Sequence, residues 1–299
     1  MYDIIVVGGG PAGMTSALYA LRNGKTVLVI EKNGFGGQIT YSPRVENIPG
    51  FASVSGNEFA DKFMEQILAQ GAEAELEEVT GVEKNGDVFT VTTLEGGKYE
   101  SRAVILANGV KHRMTGLEGE EELVGEGISF CAVCDGDFYT GKDVVMAGGG
   151  NSALQEAILL AGKCRSVTLL QDMPFFTGEE KLQKQLFANA NVTGIVNTRL
   201  TALETKDGRL IGVRAADRDT GKETLYPCDG FFVAIGLIPS NGAFEGLAAL
   251  DARGYYDSDE SCVTKTPGLF VAGDARRKSI RQVTTAACDG AVAALAATR

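Results

Sequence analysis

Short apolar runs that end in glycine punctuate this chain. The first, Ile4-Ile-Val-Val7, enters the turn Gly8-Gly-Gly-Pro-Ala-Gly13. That pattern predicts a strand, a glycine turn and a helix, and Thr26–Glu31 predicts a second strand. The same order recurs from Asp143. There Val144-Val-Met-Ala147 meets Gly148-Gly-Gly-Asn-Ser-Ala153, and Ser166–Gln171 closes the copy. Gly8, Gly10 and Gly13 correspond without a gap to Gly148, Gly150 and Ala153. Ala17 corresponds to Ala157, and Val27 to Val167.

The remaining chain fits this plan. Asn57 is expected to cap a helix carrying Phe59, Phe63 and Ile67 on one face. Residues 73–107 alternate as strands do and end in Ala103–Gly109. Gly230–Gly236 repeats that strand-to-glycine ending, Leu269–Ala272 meets Gly273-Asp274, and an alanine-rich helix closes the sequence. The pattern predicts an α/β protein of two Rossmann-like dinucleotide-binding domains of the three-layer type, the second inserted into the first. The outer domain is expected over 1–114 and 244–299, and the inserted one over 115–243.

Composition narrows the class. The 299 residues suit two domains of about 150 residues. With 44% hydrophobic and 22% charged residues, each can bury an ordinary core. The net charge of −11 argues against nucleic acid and anionic membrane as partners. No apolar run approaches the ~18 residues that span a bilayer, and the sequence enters a strand without a basic, cleavable leader. A cytoplasmic protein is expected. Only Cys131 and Cys134 of the six cysteines lie close together; Cys164, Cys228, Cys262 and Cys288 are expected as small hydrophobes.

Two kinds of chemistry stand out. In a glycine turn of this type the first glycine makes the tight turn and the second admits a pyrophosphate. The third, or an alanine, lets helix and strand pack closely. The pyrophosphate then meets helix-terminal N–H groups, and Glu31 ends the second strand where an acid takes ribose hydroxyls. The other chemistry is Cys131-Ala-Val-Cys134-Asp135-Gly136. A C-x-x-C pair beside βαβ patterns in a chain without a secretory leader is read as a redox dithiol. Half of a zinc site is the alternative, but there is no second C-x-x-C and His112 is the only histidine.

Taken in order, Gly8–Gly13, Gly36-Gly37-Gln38, Val45–Gly50, Cys131–Gly136 and Gly273-Asp274 with Arg281-Gln282 resemble the low-molecular-weight thioredoxin reductases over essentially the whole chain. The resemblance implies FAD in the outer domain, a dithiol in the inserted one, a homodimer, and a thioredoxin-like protein as partner. It implies that Gly8, Gly10, Pro11, Ala12 and Gly13 hold the pyrophosphate and Glu31 the adenosine ribose. Gly37, Gln38 and Asn47 fall at the flavin end, Gly273 and Asp274 at the ribityl chain. Arg281, Gln282 and Val283 lead into the last helix, whose positive end favours a reduced flavin. By resemblance, Cys134 is the flavin-side thiol, Cys131 attacks the substrate disulfide, and Asp135 moves the proton.

One segment departs from the family. NADPH-dependent members carry His-Arg-Arg-x-x-x-Arg after the second strand of the inserted domain, and its guanidinium groups clamp the 2′-phosphate. Here those positions hold Gln171, Asp172, Met173 and Thr177. Gly148, Gly150, Asn151, Ser152 and Ala153 keep a nucleotide turn, and Asp172 suits a free ribose hydroxyl. NADH is therefore placed ahead of reduced ferredoxin. NADPH, held by basic residues elsewhere such as Lys181, Lys184 or Arg214, comes last. Ferredoxin is thermodynamically competent, since ~−400 mV against ~−270 mV for thioredoxin is worth roughly 6 kcal/mol over two electrons. Its landing patch would be Arg276-Arg277-Lys278 with Arg281. A reductase of peroxiredoxin or glutaredoxin-like proteins and a non-catalytic redox-sensing flavoprotein are the other readings. The retained dithiol argues against the sensor.

Overall fold

The computed structural model describes residues 1–42 and 45–299. Along the chain these form β1 (Tyr2–Val7), α1 (Pro11–Arg22), β2 (Val27–Glu31), α2 (Gly56–Ala69), β3 (Glu73–Leu76), β4 (Val79–Asn85), β5 (Val88–Thr93), β6 (Lys98–Leu106) and β7 (Val110–His112). Next come β8 (Ile128–Ser129), α3 (Ala132–Asp135), β9 (Asp143–Ala147), α4 (Asn151–Ala161), β10 (Ser166–Leu170), α5 (Glu180–Phe187) and β11 (Val192–Ile195). β12 (Thr198–Lys206), β13 (Arg209–Asp217), β14 (Glu223–Pro227), β15 (Gly230–Val233), β16 (Leu237–Pro239), β17 (Leu269–Val271) and α6 (Val283–Ala297) complete the set. Contacts divide the chain into two compact units. The first takes the chain up to residue 42 with Ile48–Lys111 and Ile238–Arg299. The second takes His112–Leu237, and Val45–Asn47 groups with it.

In the first unit the strand order is β3-β2-β1-β6-β5-β4, with β17 also on β6. β17, β6, β1, β2 and β3 pair parallel, and β5 and β4 continue antiparallel. The unbroken apolar run of β1 follows from cover on both faces. Ile4 and Val6 join the core under α1 and α6, while Ile5 and Val7 join Phe89, Val91 and Tyr256 on the other side. α1 and α6 approach closely because small residues line their contact. A Cβ on Gly290 would lie 2.2 Å from the Ala12 carbonyl oxygen, and Ser16 Oγ donates to Gly290 O at 3.1 Å.

α2 begins earlier than the sequence pattern indicates. Ser55, not Asn57, is its N-cap, and the Ser55 hydroxyl accepts from Glu58 N at 3.0 Å. One such acceptor stabilises the first turn of a helix; Ser55 supplies it, which leaves Asn57 inside the helix and exposed. Phe59 and Phe63 are half-buried and Ile67 is fully buried.

The second unit contains a parallel sheet, β11-β10-β9-β15-β8, and an antiparallel sheet, β12-β13-β14. Ala153, Leu154, Ala157 and Leu160 of α4 cover one face of the parallel sheet with Val144, Met146, Val167 and Leu169. Val213 and Ala215 of β13 pack with Val145 and Phe231 on the other.

The repeat is structural as well as textual. Gly8 has φ +108° and a Cβ there would sit 2.4 Å from the Ala107 carbonyl oxygen; Gly148 has φ +129° and the same conflict at 2.5 Å with Ala234. Only glycine tolerates that pairing of backbone sign and close approach. A second shared device joins the first two strands of each copy. Asp3 Oδ2 accepts from Thr26 N and Oγ1, both at 2.9 Å, and Asp143 Oδ1 accepts from Ser166 Oγ at 2.7 Å. The Thr26 backbone bond holds the Asp3 carboxyl below its usual range, and Arg165 and Ser166 hold Asp143 at about 2. Among the described residues no helix is long and apolar enough to cross a membrane.

Candidate functional site

A cavity of about 470 Å³ opens in the first unit at the start of α1. Gly10, Pro11, Ala12, Glu31, Gly37, Gln38, Asp274, Gln282 and Val283 all line it. Phe35, Asn108, Val110 and Lys111, which the sequence did not single out, line it too. Gly8 and Gly13 serve the turn from behind: a Cβ on Gly13 would lie 1.8 Å from the Gly8 carbonyl oxygen. Gly10 is the N-cap of α1, with no side-chain cap bond. The N–H groups of the first helical turn are therefore available to an anion. Glu31 Oε2 accepts from Gly9 N at 2.7 Å and Oε1 from Asn33 N at 3.0 Å, which aims the carboxylate at the turn and leaves lone pairs for hydroxyls. Gln38 Nε2 donates to Val110 O at 3.1 Å.

Asp274 tests whether this cavity suits a polar cofactor. Its Oδ1 is buried and, among the described residues, has no hydrogen-bond partner. Burial pushes its carboxyl up to about 6, against the pull of Lys278 and Arg281. An orphaned buried acceptor of this kind calls for a ligand donor. With the free helix end, the glycine approach and Glu31, the donor set fits a flavin dinucleotide. Gly273 is buried, and its N–H donates to Asp289 Oδ2 at 3.0 Å. Arg281 Nε donates to Asp274 O at 3.3 Å, and its guanidinium lies 4.4 Å from the Tyr255 ring centroid. Asn47 does not line the cavity; it is exposed and groups with the second unit.

The basic loop after Asp274 is not a free surface. Arg276 is 1% exposed and forks onto Asp289 at 2.8 and 2.9 Å. Lys278 Nζ reaches the same carboxylate at 2.9 Å. Arg277 is exposed and pairs with Asp257 at 3.0 Å. The positive charges neutralise buried Asp289, as a buried carboxylate requires. That is why a run that looked like a solvated basic patch lies largely inside.

In the second unit Cys131 and Cys134 form a disulfide, with Cα atoms 5.3 Å apart. Cys131 is the N-cap of α3, and Cys134 N donates to Cys131 Sγ at 3.2 Å. Asp135 follows directly. Its Oδ2 accepts from Ser129 Oγ at 2.6 Å, its Oδ1 is buried without a partner among the described residues, and burial raises its carboxyl. A carboxyl that is easily protonated beside a disulfide can hold or deliver the proton that exchange requires. Glu156 of α4, absent from the sequence reading, accepts from Ala132 N at 3.0 Å. His112 stacks on Phe130 at 4.6 Å between centroids, and burial pushes its imidazole down to about 4.

The second glycine turn is built like the first. Gly150 caps α4 without a side-chain bond. Asn151 is occupied with the following loop: Oδ1 accepts from Glu179 N at 2.7 Å and Nδ2 donates to Glu179 Oε1 at 3.0 Å. Ser152 is exposed, and Ala153 is buried where Gly13 stands in the first copy. Asp172 pairs with Arg218 at 2.6 Å and more loosely with Arg199 at 3.8 Å. Arg199 lies on β12 and Arg218 just past β13, both far along the chain from Asp172, so no local pattern marked them. Of the basic residues singled out by sequence, Lys184 pairs with Glu180 at 2.8 Å and Arg214 with Glu204.

The sequence profile of the pyridine nucleotide-disulphide oxidoreductases matches residues 2–290. The thioredoxin reductase of Bacillus subtilis is 38% identical over 98% of this chain and 93% of its own. The bifunctional thioredoxin reductase/thioredoxin of Mycobacterium leprae is 39% identical over 100% of this chain and 66% of its own. The crystal structure of thioredoxin reductase from Streptococcus pyogenes superposes with a TM-score of 0.92 at 37% identity, covering 99% of this chain and 97% of that one. The glycine turns, the bonded cysteine pair and these likenesses agree: the chain belongs to the pyridine nucleotide-disulphide oxidoreductases and, within them, to the low-molecular-weight thioredoxin reductase family.

Proposed function

We propose that this protein is an FAD-dependent thioredoxin-disulfide reductase that draws its electrons from NADH. The observation that carries the reading is the Cys131–Cys134 disulfide with the buried acid Asp135 at its side, in a chain that also holds a dinucleotide cavity. The segment 1–114 with 244–299 is assigned to FAD, and 115–243 to the dithiol and the nicotinamide. Bound FAD supplies the two-electron relay between a hydride donor and a disulfide. The chain's own part is positional. The start of α1 and Glu31 fix one end of the cofactor, and Asp274 and Gln282 the other. In the reduced protein the Cys131 thiolate attacks one sulfur of the thioredoxin disulfide, and the departing sulfur takes a proton. Cys134 then attacks Cys131, re-forming the disulfide and releasing dithiol thioredoxin. Asp135 holds the exchanged proton.

NADH is favoured by Asp172, which puts a carboxylate where a 2′-phosphate would arrive, and by the uncapped start of α4. Ferredoxin is disfavoured by the burial of Arg276 and Lys278, since an acidic protein donor needs exposed positive charge. The test is anaerobic flavin absorbance during addition of NADH, NADPH and reduced ferredoxin. Bleaching by NADH ahead of the others is expected. Faster bleaching by NADPH overturns the choice of nucleotide, and bleaching by ferredoxin alone removes the nicotinamide from the mechanism.

A further inference from the structure

A second acid stands at the dithiol from another element. Glu156 lies on α4, whose neighbouring positions Leu154, Ala157 and Leu160 are buried in apolar core. Its Oε2 accepts from Ala132 N at 3.0 Å, one peptide bond from Cys131. Ala132 itself is 1% exposed, so that bond is shielded from water. No basic side chain pairs with Glu156 among the described residues. Lys163, the nearest lysine beyond α4, is held by Asp137. The other titratable groups around the turn are Asp135, bonded to Ser129, and Tyr139, whose hydroxyl burial raises to about 12. Burial raises the Glu156 carboxyl to about 7, opposed by the Ala132 bond.

Resting on the assignment of Cys131–Cys134 as the redox pair, we propose that Glu156 is a positioning residue whose charge sets the dithiol–disulfide equilibrium of that pair. The physics has two parts. The hydrogen bond fixes the Cys131–Ala132 peptide, and with it the backbone that carries the attacking sulfur. The charge acts on the reduced state only. The disulfide is neutral, whereas reduction by two electrons and two protons gives a thiol that ionises. A nearby carboxylate disfavours the thiolate and raises the thiol pKa. A dithiol whose thiolate is disfavoured is the stronger reductant, since stabilising the reduced form makes a pair oxidising. Asp135 moves the proton; Glu156 biases how willingly the pair gives up its electrons. Because Glu156 sits on the helix that opens at the second glycine turn, the dithiol and the nucleotide turn share one rigid element.

The experiment uses the full-length holoprotein and needs neither nucleotide nor thioredoxin. Glu156→Gln keeps an oxygen for Ala132 N–H and removes the charge. Wild type and variant are equilibrated at pH 8 with glutathione buffers, two glutathione thiols reducing the disulfide to the dithiol, and the free thiols are counted by alkylation. The thiolate is titrated separately through the rate of iodoacetamide reaction at Cys131. In the variant the thiol pKa is expected to fall by about one unit. The equilibrium constant for reduction should rise about fivefold, roughly 20 mV toward less reducing. Wild type should also show a second inflection near pH 7. A folded variant with wild-type pKa and equilibrium constant overturns the proposal. If the variant does not fold, a wild-type titration with a single inflection overturns it. A Cys131–Cys134 disulfide that excess dithiothreitol cannot open, in either protein, instead refutes the reductase assignment.

Discussion

The two glycine turns share a backbone and differ in what stands beside it. In the first copy the residue ending the second strand is Glu31, which takes Gly9 N–H and faces the cavity. In the second copy that place belongs to Gln171, which is buried, donates to Phe175 O at 3.3 Å and fills the space a Cβ on Gly149 would need. In both copies a loop returns to the turn, with Gly36 N on Gly9 O at 2.8 Å and Gly178 N on Gly149 O at 2.9 Å. The acid moves one residue on, to Asp172, and is held by Arg218. The lesson is a division of labour. On the proposed function, the turn is the shared pyrophosphate cradle, and the residues just past the second strand choose the nucleotide.

The most severe way to break this comparison is to put a side chain at each turn in parallel. Gly8→Val meets the Ala107 carbonyl at a positive φ and is expected to give little folded, colourless protein. Gly148→Val should stay yellow, because the cavity proposed for FAD lies in the other unit, while NADH bleaching slows by roughly two orders of magnitude. Absorbance at flavin wavelengths reads both. If Gly148→Val also loses its flavin, the two turns are not separable. Next in size is Asp172→Ser, which releases Arg218 and Arg199 toward an incoming 2′-phosphate. Binding of 2′,5′-ADP should tighten about tenfold by calorimetry, and the NADPH-to-NADH preference should move the same way. No change would mean that the arginines do not face the nucleotide.

Asp274 gives a smaller, pH-dependent test. Its carboxyl is raised to about 6 when folded, above its unfolded value. The native state of the flavin-free protein therefore binds the proton more tightly. That stability is fully present below the unfolded pKa and lost as the pH rises through about 6, of order 3 kcal/mol at most. Asp274→Asn should flatten denaturation midpoints between pH 4 and 7. A slope that survives the substitution assigns the effect to another group. The smallest effect belongs to the strand staples. Asp143 is depressed to about 2, so its contribution is present above the unfolded pKa and lost as the pH falls through about 2. On a half-exposed pair it is worth about 1 kcal/mol or less. Asp143→Asn should lower the neutral-pH Tm slightly, and Asp3→Asn by a similar amount. A marked difference between them would break the symmetry of the two copies.

What was legible in the sequence was local. Strand, turn and helix around Gly8 and Gly148 follow from residues within one turn of each other, so both copies could be read directly. The dithiol was legible because Cys131 and Cys134 are three residues apart. Pairings between separate elements were not. Glu156 meets Ala132 from another helix, Arg218 reaches Asp172 from the end of β13, and Asp289 draws Arg276 and Lys278 inward. Each depends on which strands become neighbours, and a charge run alone gives no sign of a buried partner. The antiparallel sheet β12-β13-β14 escaped for a similar reason, as its half-exposed strands carry no glycine punctuation like that of the nucleotide turns.

The crossing of α1 with α6 bears on the order in which this chain can assemble. The second unit is nearly contiguous and is complete once Leu237 has been made. The first is not: β6 waits for β17, the small-residue face of α1 waits for Gly290 and Ala293, and the cavity waits for Asp274 and Gln282. During synthesis the N-terminal segment must therefore stay partly open while the inserted unit folds. Any ligand that fills this cavity is necessarily captured late, and its capture reports that both ends of the chain have found each other.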